Sequence, residues 1–294
     1  MKKYSTLAAL IMSLSILIPF STLTQESKEK AVNIIGAGIL NQDEYEKVMV
    51  KGLAKSESDL TVGQMTCSGA VEIGGHLKVK SLKSDGTLKV DEGLEAEQVN
   101  SSGALNVRGT FQGQAVNFAG SLESDFIKGG SQNFSGSLKV KNSVTVKNFA
   151  ADGALNIGGI LTADQVAVRL GGDSSIYEID AKTIEIRPLP FPPPNFLTPK
   201  ESSSSSGDST RYGPPGTSIS VDKTYIPKDW RRPPKMTVES MEGDSIYIEN
   251  VNAQTVDGRR VVIGPGCYIT NISYSDQLIF ATDTFIGSKR RKIP

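Results

Sequence analysis

Few residues in this sequence have the type and spacing for chemistry. His76 is the sole histidine among 294 residues and follows Gly74 and Gly75. An imidazole can serve as a general base or an acyl-transfer catalyst. One histidine cannot complete a metal set, however, and a place after two glycines is that of a surface residue at a corner. Cys67 and Cys267 stand far apart in the chain. Cys67 lies among apolar residues, where a free cysteine acts as a small hydrophobe, so both thiols are read as unbridged. Asp85 and Asp152 precede glycines at one recurring position, shared with Ser68, Ser102, Ala119 and Ser135. Glycan-cleaving sites need carboxylates clustered on one face. These two fall four repeats apart, about 19 Å at ~4.8 Å per coil, and are better explained as turn dipeptides. The Gly-Gly pairs at 74–75, 129–130, 158–159 and 171–172 are not followed by a helix, which a phosphate-cradling loop requires. No catalytic, cofactor-binding or metal-ligating residue is assigned, and the expectation is a protein that is not an enzyme and carries no cofactor.

The elements that hold these residues follow from one periodicity. Glycine recurs at 52, 69, 86, 103, 120, 136, 153 and 171. The intervals are 17, 17, 17, 17, 16, 17 and 18. A fixed short period is the mark of a repeat architecture. Counted from each glycine, position two is filled by residues such as Val71, Leu88 and Leu105, and position four by Ile73, Val90 and Val107, with Ser56 and Ser124 as exceptions. Position eight holds Leu60, Leu77, Leu94 and Phe111, and position thirteen Met65, Leu82, Val99 and Val116. In the short repeat the apolar residue of position eight moves to Ile127, and position thirteen falls on the polar Asn133. Apolar residues two apart are strand spacing. Seventeen residues span about 56 Å of extended chain, one turn of a three-sided coil, and no stretch has the 3.6-residue period of an amphipathic helix. The pattern predicts an all-β fold, a parallel β-helix of about 17-residue coils, with Leu105, Val107, Phe111, Val116 and Phe118 facing inward. Position three supports the stacking. It runs Lys55, Glu72, Lys89, Asn106, Glu123, Lys139 and Asn156 with no like-charged neighbours, and opposite charges on adjacent strands contribute roughly 0.2–1 kcal/mol.

The rest of the chain divides around this block. Residues 1–24, with Lys2 and Lys3 before an apolar run from Leu7 to Phe20, read as a secretory signal. That reading implies export to the periplasm, envelope or extracellular space; an uncleaved N-terminal anchor is the alternative. Residues 25–51 form a lead-in or cap, with a strand from Ala31 to Leu40 turning at Gly36–Gly38. Residues 52–187 hold the coils. A step of 18 from Leu161, Ala163, Val166 and Val168 to Ile179, Ala181, Ile184 and Ile186 sets the last of them. Residues 188–234 are a Pro/Ser-rich linker that cannot bury a core. Its Phe191, Phe196, Tyr212 and Trp230 either ride on a plain tether or contact the rod or a partner. Residues 235–287 return to the period, since Ile246, Ile263 and Phe280 are 17 apart, as are Val251, Tyr268 and Phe285. Two to three further coils, docked on the first set or stacked with it, are expected there. Residues 288–294 are a basic tail, Lys289, Arg290, Arg291 and Lys292, read as solvated. With 32 basic and 32 acidic residues the formal net charge is zero, which leaves no global field for nucleic acid.

The coil starts SGAVEIGG, SGALNVRG and DGALNIGGIL, between residues 68 and 161, together with the block SIYIENVNAQTVDGRRVVIGPGCYITNISYSDQLIF at 245–280, resemble the bactofilins, bacterial polymer-forming cytoskeletal proteins. The resemblance covers somewhat over half of the chain. It implies a right-handed β-helix that assembles end to end into nucleotide-free filaments, often at a membrane, with roles in cell shape and envelope organisation. The chain departs from that family in its signal-like start and in the Pro/Ser segment between its coils. The expected function is that of a non-enzymatic structural or scaffold protein of the bacterial cell envelope, a rod whose partners are further copies of itself and membrane or envelope components. An exported adhesin or binding module is the alternative, and a carbohydrate-active β-helix enzyme a third reading.

Overall fold

The alternating apolar and polar residues bury one face of their strands here because the chain closes around its own axis. The computed structural model describes residues 31–189 and 233–292. The signal-like segment and most of the Pro/Ser linker, with Phe191, Phe196, Tyr212 and Trp230, lie outside the described residues. Thirteen strands are formed among those described: β1 (Ala31–Ile39), β2 (Glu44–Ser56), β3 (Leu60–Cys67), β4 (Ala70–Ile73), β5 (His76–Ser84), β6 (Thr87–Val90), β7 (Gly93–Val140), β8 (Val144–Leu170), β9 (Ser174–Pro188), β10 (Met236–Ile248), β11 (Val251–Ile263), β12 (Tyr268–Phe280) and β13 (Phe285–Arg291). Every pairing between them is parallel. The result is a β-solenoid of about 13 turns with a spacing near 17 residues. At about 4.8 Å per coil the stack is ~62 Å long.

The core is a set of columns, one residue per coil. In position eight Leu60 pairs with Leu77 and Leu77 with Leu94. Higher in the stack Ile127 meets Val144 and Leu161 meets Ile179, so both the short repeat and the longer step after Leu161 keep the column intact. Leu105, Val107, Phe111, Val116 and Phe118 are all buried. The glycines form a column of their own. A Cβ on Gly52, Gly69, Gly86, Gly103, Gly120, Gly136 or Gly153 would stand 1.9–2.2 Å from the carbonyl oxygen of the glycine one coil below, beginning at Gly36. This close approach of backbone to backbone explains why only glycine recurs there.

Several details differ from expectation. Residues 31–40 are not a separate lead-in; β1 is already coil, paired with β2 in a register that places Gly36, with its positive φ of 93°, beneath the corner glycine Gly52. In the short repeat Gln132, not Asn133, faces Phe149 in position thirteen. Gln132 is fully buried and its Nε2 donates to the Gly113 carbonyl at 2.6 Å. The missing residue is lost before Ile127, and the shift moves Asn133 outward. The polar exceptions of position four, Ser56 and Ser124, are buried and donate to the nearby carbonyls of Ser58 and Phe126. After the linker the first coil falls two short of the period: Ile246 lies under Val261, and Ile248 under Ile263. The step from β12 to β13 returns to the full period, with Tyr268 under Phe285. The basic residues from Lys289 to Arg291 are exposed, as a solvated tail would be, but they form the end of β13.

The Pro/Ser segment does not divide the solenoid. β10 pairs directly with β9, Met236 with Ser174 and Ile248 with Ile186. Pro188 stacks on Leu170 and Met236 on Ser174, and in the coil below only three residues, Gly171 to Asp173, join Leu170 to Ser174. The segment from 189 to 235 is thus an insertion at one corner of a single stack.

Candidate functional site

The residues singled out for chemistry are dispersed. His76 opens β5 on the surface, with Nε2 3.1 Å from a Glu92 carboxylate oxygen and its backbone N–H donating to Asp59 at 2.8 Å. Asp85 accepts from the Ser102 hydroxyl at 2.8 Å, whereas Asp152 holds Arg169 through two hydrogen bonds of 2.6 and 2.5 Å. The hydrogen bonds to Asp152 raise the Arg169 guanidinium above its ordinary value. Cys67 and Cys267 are both free and buried. Desolvation pushes the Cys67 thiol up to about 12 and that of Cys267 up to about 11, so neither carries the thiolate that nucleophilic chemistry or metal binding requires. Among the described residues, no group of three or more His, Cys, Asp and Glu side chains gathers as a metal site.

Two features present surfaces rather than reactive centres. The first is a shallow groove of about 540 Å³ along one corner. Asn100, Asn117 and Asn133 form one wall, linked by amide hydrogen bonds of 3.4 and 3.0 Å. The opposite wall runs from Asp85 through Ser102 and Ser135 to Asp152 and Arg169. Phe118 and Phe134 lie beneath it, buried, with ring centroids 6.4 Å apart. The groove exists because positions fourteen and sixteen point outward on either side of the inward position fifteen at each corner.

The second is the pair of ends. Among the described residues nothing pairs the outer edge of β1, the outer edge of β13, or the last residues of β12, Gln277–Phe280, which β13 does not reach. Exposed apolar side chains gather at both ends: Ile35, Ile39 and Leu53 at the first, Tyr268, Ile279, Phe280 and Phe285 at the second. Tyr268 and Phe285 are stacked at 4.4 Å. Position eight changes character at both limits. Glu44 pairs with Thr61, so Asp43 lies beneath Leu60, and Lys289 sits on Ile272. Lys289 reaches over the Phe280 ring at 3.8 Å. Arg291 likewise ends position ten, which begins at the buried Tyr45. Extending position eight by one period in each direction reaches Asp43 and Lys289 in the sequence, but assigning 25–51 to a cap and 288–294 to a tail conceals them.

No protein-family model matches the chain, and no solved structure matches it. Two Bacillus subtilis (strain 168) proteins, both described as uncharacterized, share short stretches with it. YhbF is 42% identical over 59 residues, 20% of this chain and 25% of its own length. YhbE is 48% identical over 42 residues, 14% of this chain and 18% of its own length. The similarity therefore spans a quarter or less of either relative.

Proposed function

We propose that this chain is a non-enzymatic structural protein of the bacterial cell envelope, a β-helical rod that associates with further copies of itself through its coil ends, as bactofilins do. The observation that carries this reading is the state of the ends. Among the described residues each end presents an unpaired parallel strand edge beside exposed apolar side chains, and such edges recruit another strand unless covered. The envelope location rests on the signal-like residues 1–24 and on no structural feature. Negative-stain electron microscopy of the purified protein over a range of concentrations tests the association: rods that lengthen with concentration support it, and particles one solenoid long at every concentration reject it.

The groove favours a second reading, an exported binding module. Its asparagine ladder offers donors and acceptors at the spacing of successive coils, which suits an extended, hydroxyl-rich polymer. A monomeric protein that is retained on a glycan column, and that loses retention in Asn117→Ala, would favour this reading over the first.

A further inference from the structure

The corner that carries positions fourteen and sixteen is open over one run of coils and bridged above it. In the open run the side-chain hydrogen bonds point along the axis: Asn117 to Asn100, Asn133 to Asn117, Ser102 to Asp85 and Arg169 to Asp152. Among the described residues none crosses the floor, where Phe118, Phe134 and Ala151 are buried. One coil beyond Arg169 the contacts turn across the corner. Arg187 reaches over Ile186 to Glu185 at 2.8 Å and covers the Tyr247 ring, 4.3 Å from its centroid. The open trough passes six coils, marked by Asp85, Ser102, Ala119, Ser135, Asp152 and Arg169. At about 4.8 Å per coil it is ~24 Å long. Exposed asparagines are not needed to pack the core, yet the ladder continues through the short repeat, where Asn133 bonds to Asn117. We propose that this trough binds a straight, uncharged polysaccharide laid parallel to the solenoid axis, with about one sugar ring to a coil. This rests on the second reading above, that of a binding module, and adds the class, direction and length of the ligand.

Charge and spacing choose the ligand. Lys83 and Arg169 are offset by Asp85 and Asp152, so the lining is neutral as a whole and an acidic polymer or a nucleic acid gains nothing from it. A primary amide has two N–H donors and an oxygen that accepts twice. Asn117 spends one donor and one acceptor within the ladder and keeps one of each for a ligand. Sugar hydroxyls both donate and accept, so they match that pair. In a straight β-linked chain each pyranose ring advances by nearly one coil. A polypeptide strand advances only ~3.3 Å per residue and falls out of step with a ladder of about 4.8 Å. From Phe118 to Ala151 the floor is apolar, which suits the C–H face of a sugar ring and opposes a buried carboxylate or phosphate.

The test is isothermal titration calorimetry on the full-length protein, with fold checked by circular dichroism. The straight, uncharged probes are cellohexaose and chitohexaose. The controls are their trimers, the coiled and uncharged maltohexaose, the acidic hexagalacturonate and a proline decamer. At least one of the two straight hexamers is expected to bind, and its trimer to bind about tenfold more weakly or worse, because it reaches about half of the coils. Asn117→Ala is expected to weaken the hexamer by about tenfold, the scale of one or two hydrogen bonds. Ala119→Trp fills the trough from its wall and removes no ladder amide, and is expected to weaken it by about tenfold or more through steric exclusion. Asn148→Ala breaks a comparable side-chain hydrogen bond, to Ser131, on another face and is expected to leave the affinity unchanged. Hexamer binding that Ala119→Trp does not weaken places the ligand elsewhere and overturns the proposal. Tighter binding of maltohexaose, hexagalacturonate or the proline decamer overturns the ligand class and leaves a binding module standing. Binding of none of these probes rejects the binding module itself.

Discussion

Position fifteen shows how much polarity a solenoid core tolerates, and where. Ser84 stands between Cys67 and Ser101, 1% exposed, and its hydroxyl has no hydrogen-bond partner. An unmade buried hydrogen bond costs about 1–3 kcal/mol, so Ser84→Ala is expected to leave the thermal midpoint unchanged or raise it; a clear fall would mean that the hydroxyl is satisfied. Cys67 and Cys267 make a prediction about pH. Burial raises both thiols from an ordinary 9.0 to about 12 and about 11. Above pH 9 the unfolded chain releases these protons while the folded chain keeps them. The stabilisation is therefore whole below pH 9 and is lost as pH rises toward 11 and 12. Replacing both cysteines with alanine should flatten the alkaline limb of a stability-versus-pH curve. In the native protein at pH 8 a disulfide reagent should label neither thiol, and in urea it should label both.

At the level of elements, the corners matter more than the strands between them. The glycine column brings successive backbones too close for any Cβ, and at Gly120 the φ of 131° adds a second objection to an L side chain. Gly120→Ala is expected to cost about 2 kcal/mol or more, strain at a special backbone position being one of the few ways a single methyl reaches that size. Urea denaturation measures it, and a loss below half that figure would mean that the coils separate easily. The corner after β9 behaves differently, because it accepts the whole of segment 189–235 while β9 and β10 stay paired in register. Replacing residues 189–235 with Gly-Gly-Asp, the three-residue link used one coil below, is therefore expected to leave the β-sheet circular dichroism and the midpoint close to those of the full chain. Unfolding of the last coils alone would show that the insertion holds them in place.

For the whole molecule, the arrangement is nearly one-dimensional. Each coil contacts the one above and the one below, so stability is close to a sum of nearest-neighbour terms and the terminal coils hold the least of it. Hydrogen exchange should find the slowest amides in β7 and β8 and the fastest in β1 and β13, each of which has one strand partner among the described residues. The self-association proposed above predicts that protection at β1, at β13 or at both rises with concentration. Protection unchanged at both ends over that range would count against it.

The sequence by itself determined the period and the inward residues. Side-chain direction alternates every residue along a strand, so the face of Leu105, Val107 or Phe111 follows from local spacing alone. Local spacing does not set the offset between coils. A full coil and one shortened by two leave every side chain on the same face. The pattern therefore allowed Ile263 to follow Ile246, whereas packing seated it on Ile248. The same ambiguity concealed Gln132 behind Asn133, because the place where the short repeat loses its residue is a matter of which neighbour fills the core. Composition set the last coils apart from the first; their period already called for docking or mutual stacking, and the pairing of β9 with β10 decided that they form one stack.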